Sequence, residues 1–580
     1  MQWRRVSALV VGALVSAVSG AGPAGAALPT AVPRPLALSG SEAAFHPVTP
    51  TRLADTRRSF GTTPAGTPAA GSTLTIQVTG RPEISIPGNA TAVVLNVTAA
   101  NATDAGYLSV YPHGTGAPNA SNLNMSGAGY IGANLVTVKL GGGAVDVVVS
   151  ATTDVLVDIS GYYSPSGGAV RAGRTLTAGP TRLYDSRTLD GGGAPLAAGE
   201  LRTIALPSLP AGASAAVLNV TVASTRAAGF WSIVPTTAVL DANGAPTTSS
   251  LNVGSAGATV ASLVIVPVGA DKTIRAYTNG GGDLILDLFG YVTGSSAANS
   301  TDGLFVPLDS PYRMIDTRTS NSPLGEGHRM WPGWAVEVGI GGRGGVPGGG
   351  VAAIVGNLTS LDNHDWGYLA AYPAGTDFPG TSSVNTDRIG AVVPNHVFVP
   401  ISDRGVTVLA SAGGHVLLDV SGYFIGAATT AVHVTPANVM PIPAFPLSIS
   451  IPSIGVRASV QVDAQPDSLV SGPGWWPGTS YPGVSGNMAI FGHRTEHGGP
   501  FRNLNRVRSG DTVTLRGDRR TSVYVVQDVR VVPAGQASDY LGGFDGTMLT
   551  LIACSKADGS ATSLQYRIIV TASLQSYRDA

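Results

Sequence analysis

Apolar positions along the chain come in short runs. Ala92 to Thr98, Tyr107 to Tyr111, Leu135 to Leu140, Val145 to Ser150 and Val155 to Ile159 are strand-length and separated by clusters of Gly, Asn, Asp and Pro. That punctuation predicts a β-sandwich or a closed barrel. A second set, Ser448 to Ile451, Ala458 to Val462, Asn487 to Phe491, Thr512 to Leu515, Ser522 to Val532, Met548 to Ala553 and Gln565 to Ala572, predicts a further β domain that closes like a barrel.

The first set belongs to a repeat. Arg52-Leu53-Ala54-Asp55-Thr56-Arg57, Leu95-Asn96-Val97-Thr98, Ser121-Asn122-Leu123-Asn124 and Val157-Asp158-Ile159-Ser160-Gly161-Tyr162 occur in that order. They return as Arg182 to Arg187, Leu218 to Thr221, Ser249 to Asn252 and Leu286 to Tyr291. A third copy has Arg313 to Arg318, Gly356 to Thr359, Ser382 to Asn385 and Leu418 to Tyr423. Each unit is about 130 residues, the size of an independent domain, whereas propeller blades are nearer 40 to 50. The expected modules are 38–165, 170–296 and 303–427. A Pro-rich spacer follows at 428–446, with Pro436, Pro441, Pro443 and Pro446, and a last domain at 447–576. The repeat resembles a module common in exported actinobacterial proteins, a resemblance that brings no defined activity with it.

Composition agrees with an all-β chain: 77 Gly and 40 Pro among 580 residues, with 12% charged. A formal net charge of −1 supplies no field to draw in nucleic acid or an anionic membrane, so neither is an expected partner. Arg4 and Arg5, the apolar run from Val6 to about Gly22 and the small residues Ala24-Gly25-Ala26 make residues 1–27 an export signal or an N-terminal anchor. The body is expected outside the cytoplasm, secreted or held at the cell surface. A single unpaired cysteine, Cys554, is unusual in that compartment.

Two repeated features have a functional and a structural reading. Asp158, Asp287 and Asp419 lie inside apolar strands and are candidates for a cation or a sugar. A buried ion pair with the repeated arginines is the simpler account, because Arg is a poor neighbour for a metal ligand. The aromatics Tyr107 to Tyr111, Phe230-Trp231 and Trp366 to Tyr372 are candidates for stacking on a carbohydrate or other cell-envelope ligand, although alternating aromatics in strands are more often core. Triplets such as Asn96-Val97-Thr98 look like glycosylation acceptors. Within a repeat signature they are expected to satisfy backbone groups.

Chemistry concentrates in the last domain. His493 follows the run Met488 to Phe491, Cys554 follows Met548 to Ala553, and Arg567 stands at the start of Gln565 to Ala572. If the strands of Cys554 and Arg567 pair as a hairpin, sulfur and guanidinium face one site. A thiol needs a nearby cation to be a thiolate near neutral pH. Acyl transfer needs an acid for the leaving amine, which suits His, and a donor pair for the oxyanion, which suits Arg. No cofactor or metal is called for. Each residue also has a structural alternative: Cys554 as a buried hydrophobe, His497 as the histidine that matters instead of His493, and Arg567 as a partner of Asp545 or Asp558.

The domain resembles the sortases. The resemblance rests on Ile451 to Val456, Tyr481-Pro482-Gly483, Gly486 to Ala489, Gly492-His493-Arg494, Thr550 to Cys554 and Arg567, and the stretch from Gly492 to Leu504 looks most like class E. It implies a sortase-like β-barrel and a cysteine transpeptidase with Cys554 as nucleophile, His493 as general acid/base and Arg567 as oxyanion or substrate stabiliser. The implied partners are proteins with a C-terminal sorting signal related to Leu-Pro-x-Thr-Gly or Leu-Ala-x-Thr-Gly, and an amine acceptor from a cell-wall precursor or another protein. Ala553 stands where the family has Thr, and the loop after Cys554 lacks the usual early Pro. The expected fold class is thus all-β, three tandem β-sandwich or barrel-like modules followed by the sortase-like barrel. The alternative function is a surface adhesin or binding scaffold with an inactive terminal domain.

Overall fold

A computed structural model describes residues 40–82, 84–188, 194–319, 329–330, 332–432, 447–461, 464, 469–476, 479, 482, 486–517, 520–541, 547–560 and 563–579. The export signal, most of the Pro-rich spacer, Tyr481, Gly483 and Asp545 lie outside the described residues. Among the described residues, no helix is long and apolar enough to cross a membrane.

Each copy of the repeat forms two four-stranded antiparallel sheets. In the first copy the outer sheet orders Ser72–Gln77, Ala144–Val149, Ala105–Pro112 and Leu123–Ser126. The inner sheet orders Ala43–Asp55, Asp154–Pro165, Ala92–Ala100 and Gly132–Lys139. Copies two and three repeat this order. The sequence reading missed the first strand, which carries Arg52 and Asp55 of the Arg-x-x-Asp-x-Arg cluster, because its polar residues hide its periodicity.

The inner sheets are buried on both faces, which is unusual for an antiparallel sheet. Every residue of Ala92–Ala100 is buried. Val93, Leu95, Val97 and Ala99 enter the core of their own module. Ala92 and Val94 face a central cluster shared with Val217 and Leu263 of copy two and Ala353 and Phe398 of copy three. The period of two along a strand therefore splits the Leu-Asn-Val-Thr signature: Leu and Val point inward, Asn and Thr towards the neighbouring module.

Those asparagines close a ring. Asn96 donates to the Ser249 carbonyl at 2.7 Å, Asn219 to Ser382 at 2.7 Å and Asn357 to Ser121 at 2.8 Å, so copy one binds copy two, two binds three and three binds one. The triplets satisfy backbone groups, as expected, but those of the next module. The three copies are two-sheet units assembled cyclically, not the blades of a propeller. The inner sheets of copies one and three also join edge to edge through Ala43 and Phe305 into one eight-stranded sheet.

Each Arg-x-x-Asp-x-Arg cluster is an ion-pair network. Arg52 holds Asp158 through Nε at 2.5 Å and Nη2 at 3.1 Å, and Arg182–Asp287 and Arg313–Asp419 repeat the fork. Burial pushes all three aspartates up, their arginines opposing. Hydrogen bonds from Arg57 and Arg187 hold Asp55 and Asp185 below the usual carboxylate range. The aromatics divide. Tyr111, Trp231 and Tyr372 are buried, while Tyr107 and Trp366 are exposed.

The spacer begins later than residue 428. Thr429 donates to the Ile401 carbonyl and Val432 to Gly375, so this stretch stays against the third copy. The last domain opens at Leu447 and has eight strands: β1 Leu447–Ile451, β2 Val456–Val460, β3 Gly474–Trp475, β4 Gly486–Phe491, β5 Thr512–Arg516, β6 Arg520–Pro533, β7 Thr547–Ser555 and β8 Tyr566–Asp579. They form one sheet in the order β2-β1-β5-β6-β8-β7-β4-β3, a nearly closed barrel around Ile449, Met488, Leu515, Leu551 and Val570. The two-residue β3 was not visible as a strand. Its Trp475 is fully buried and stacks on Trp334 of the third copy at 5.2 Å.

Candidate active site

Three adjacent strands bring the three expected residues to one end of the barrel. β4 runs parallel to β7 with Phe491 beside Ile552, and the Gly492 amide extends that ladder to the Ile552 carbonyl at 3.1 Å. Two residues further on, His493 and Cys554 emerge from neighbouring strands at the same level. On the other side β7 and β8 form the expected hairpin, with Cys554 directly opposite Arg567. Cross-strand partners project on the same face, so thiol and guanidinium share it.

Alternation along β7 separates barrel core from site. Leu549, Leu551 and Ala553 face the core. Ile552 faces the other way, against Ile569, Val532, Phe491 and the 3-10 helix Ala534–Tyr540, and Cys554 is on that face. Thr550 bonds Asn487 at 2.9 Å, and Asn487 in turn donates to the Tyr540 carbonyl, pinning the 3-10 helix over the two strands. Ala553 therefore points away from the thiol, into the barrel core.

Cys554 is partly exposed and not sealed in the core. The His493 side chain is 25% exposed. His497 is exposed and one turn further from the strand end. Of the two carboxylates proposed for Arg567, Asp545 lies outside the described residues and Asp558 is held elsewhere. Arg567 Nη1 donates to the Leu564 and Tyr566 carbonyls at 2.9 Å, and Asp558 is engaged by Ser560.

The loop carrying His493 is folded on itself, which explains why Gly492 to Leu504 forms one motif. Phe501 is fully buried and lies against Gly492, where a Cβ would meet its ring at 2.6 Å. The Phe501 amide donates to the His493 carbonyl at 3.0 Å. Gly499 adopts φ +54°, and a Cβ there would meet the Arg494 carbonyl at 2.4 Å.

Arg494 is the residue the sequence reading did not single out. Only 3% exposed, it donates to the Gly559 carbonyl at 2.9 Å, the Arg502 carbonyl at 3.2 Å and Asn505 Oδ1 at 2.8 Å. Gly559 lies in the loop that follows Cys554, so Arg494 ties the His493 loop to the Cys554 loop. Every one of these acceptors is neutral. Burial pushes the Arg494 pKa down, and the Cys554 charge opposes that shift. The available signal was its place directly after His493, two residues beyond the apolar run Met488 to Phe491.

Residues 449–575 match the sortase domain family. No curated protein matches the chain. Among solved structures, sortase E from Streptomyces avermitilis is similar at 26% identity over 23% of this chain and 90% of that one, with a TM-score of 0.21. Sortase C-1 from Actinomyces oris is similar at 29% identity over 24% and 77%, TM-score 0.21. Sortase A from Listeria monocytogenes is similar at 23% identity over 24% and 91%, TM-score 0.21.

Proposed function

We propose, from the premise that residues 449–575 are a sortase domain, that this protein is an exported cysteine transpeptidase of the class E type. The observation that carries the reading is the register of β4, β7 and β8, with Cys554 opposite Arg567 and level with His493. In the reaction the Cys554 thiolate attacks the carbonyl carbon of the Thr–Gly bond in a Leu-Pro-x-Thr-Gly or Leu-Ala-x-Thr-Gly signal. Arg567, released from its loop carbonyls, donates to the oxyanion. The C–N bond breaks as His493 gives its proton to the departing glycine amine, leaving a thioester. An acceptor amine from a cell-wall precursor or another protein then attacks the thioester, losing its proton to His493 and expelling the thiolate. The reaction uses no redox step and no cofactor. The three modules hold the enzyme in the cell envelope, with Tyr107 and Trp366 as the exposed aromatics available to a carbohydrate there.

Incubating the full chain with each signal peptide and weighing the intact protein tests this. The expected result is an acyl adduct that Cys554→Ala abolishes and that an added amine discharges as a transfer product. No adduct and no cleavage with either peptide sinks the reading and leaves a binding scaffold.

A further inference from the structure

Beside the thiol-bearing strand His493 has two neighbours that acyl transfer does not use, Glu496 and His497. His493, Glu496 and His497 each offer one ligand atom, and the three atoms lie within 4.8 Å of one another. The two imidazole rings are 5.1 Å apart, and His493 Nδ1 is 3.8 Å from Glu496 Oε2, too far for a hydrogen bond. A turn builds this cluster. His497 sits at φ +48°, a left-handed conformation that a residue with a side chain adopts at a cost of about 1 kcal/mol or more, and Gly498 and Gly499 continue the reversal at +77° and +54°.

We propose that His493, Glu496 and His497 form a binding site for a transition-metal ion of the zinc class, and that the bound ion takes His493 out of proton transfer. Two imidazoles and one carboxylate, with a position left open, are an established zinc ligand set. Bonds of about 2.0–2.2 Å in a tetrahedron place ligand atoms about 3.3 Å apart, so side-chain movements on the order of 1 Å close the site. Glu496 is 71% exposed and free to make that movement. The first clause stands on the cluster alone; the second rests on the role proposed for His493.

Zn2+ is titrated calorimetrically into the full chain carrying Cys554→Ala, so that the thiol contributes no ligand. One ion per chain is expected, with Glu496→Gln and His497→Asn each weakening binding roughly tenfold or more; Asn tolerates the left-handed backbone. Absence of binding up to millimolar Zn2+, or binding that neither substitution weakens, overturns the site. In the chain that keeps Cys554, Zn2+ is expected to suppress peptide cleavage and a chelator to restore it. Equal inhibition of the His497→Asn chain overturns the second clause, because the ion then acts elsewhere. Calorimetry needs no turnover, so a chain that cleaves no peptide overturns the transpeptidase reading and the inhibitory clause, while the titration decides the site.

Discussion

Arg494 keeps a full charge where almost no solvent reaches it, and only neutral oxygens surround it. A buried guanidinium of that kind is stabilised by its hydrogen bonds and by any negative charge that develops nearby, and in the reaction proposed above that charge is the Cys554 thiolate. Replacing it with methionine leaves the Gly559, Arg502 and Asn505 acceptors unsatisfied. We expect Arg494→Met to cost about 2–4 kcal/mol in denaturant unfolding and to slow single-turnover acylation at least tenfold, with Arg494→Lys recovering part of the rate. Acylation unaffected by the methionine would confine Arg494 to packing. At this scale, His493, Cys554 and Arg567 were legible because each borders an apolar run, which marks a strand end in any β protein. Arg494 was not, because its acceptors come from two loops whose closeness no spacing encodes.

The loop from Gly492 to Leu504 behaves as one element. Its internal bonds fix the angle at which His493 leaves β4, and Gly492 provides the flat surface on which Phe501 packs. Gly492→Ala drives a methyl into the Phe501 ring. The expected outcome is a loss of about 1–3 kcal/mol in thermal unfolding together with slower acylation, because the shift passes directly to His493. The β7–β8 hairpin was legible, since Cys554 and Arg567 are separated by a short polar loop. The parallel pairing of β4 with β7 was not: it joins segments divided by β5, β6 and two 3-10 helices, and nothing local selects that partner. β3 escaped notice because two residues carry no periodicity.

In the whole molecule the three modules were countable from their repeated motifs, but their cyclic assembly was hidden in the asparagines, whose partners sit in other copies. The ring is also incomplete. Asn134 donates to Asn357 Oδ1 at 2.9 Å and Asn395 to Asn219 Oδ1 at 3.0 Å, whereas the matching position of copy two is Ser262, and Asn96 Oδ1 is buried without a hydrogen-bond partner. Ser262→Asn is expected to supply the third bond and raise the stability of the ring by about 1 kcal/mol, seen as a higher unfolding temperature. Acid works against the same contacts. His396 of copy three bonds Thr137 of copy one, and burial pushes its pKa down to about 3. Because the folded value lies below the unfolded value of about 6.5, its contribution is complete above that pH and lost as pH falls towards 3, about 1.4 kcal/mol per unit. His46 and His415, also held down by burial, act in the same direction. Denaturation between pH 6.5 and 4.5 should therefore show falling stability, with a shallower slope in His396→Gln.

The edge pairing of copies one and three brings the two ends of the repeat region together. Ala43 lies beside Phe305, and Phe305 beside Phe424, so the first strand of the repeat region is two strand spacings, about 10 Å, from its last. Three modules laid end to end would make a mast; closed on themselves they make a collar, whose entrance and exit nearly coincide. Trp475, stacked on Trp334, holds the last domain against this collar, so the place of Cys554 relative to residue 40 is set by that contact rather than by the length of 433–446.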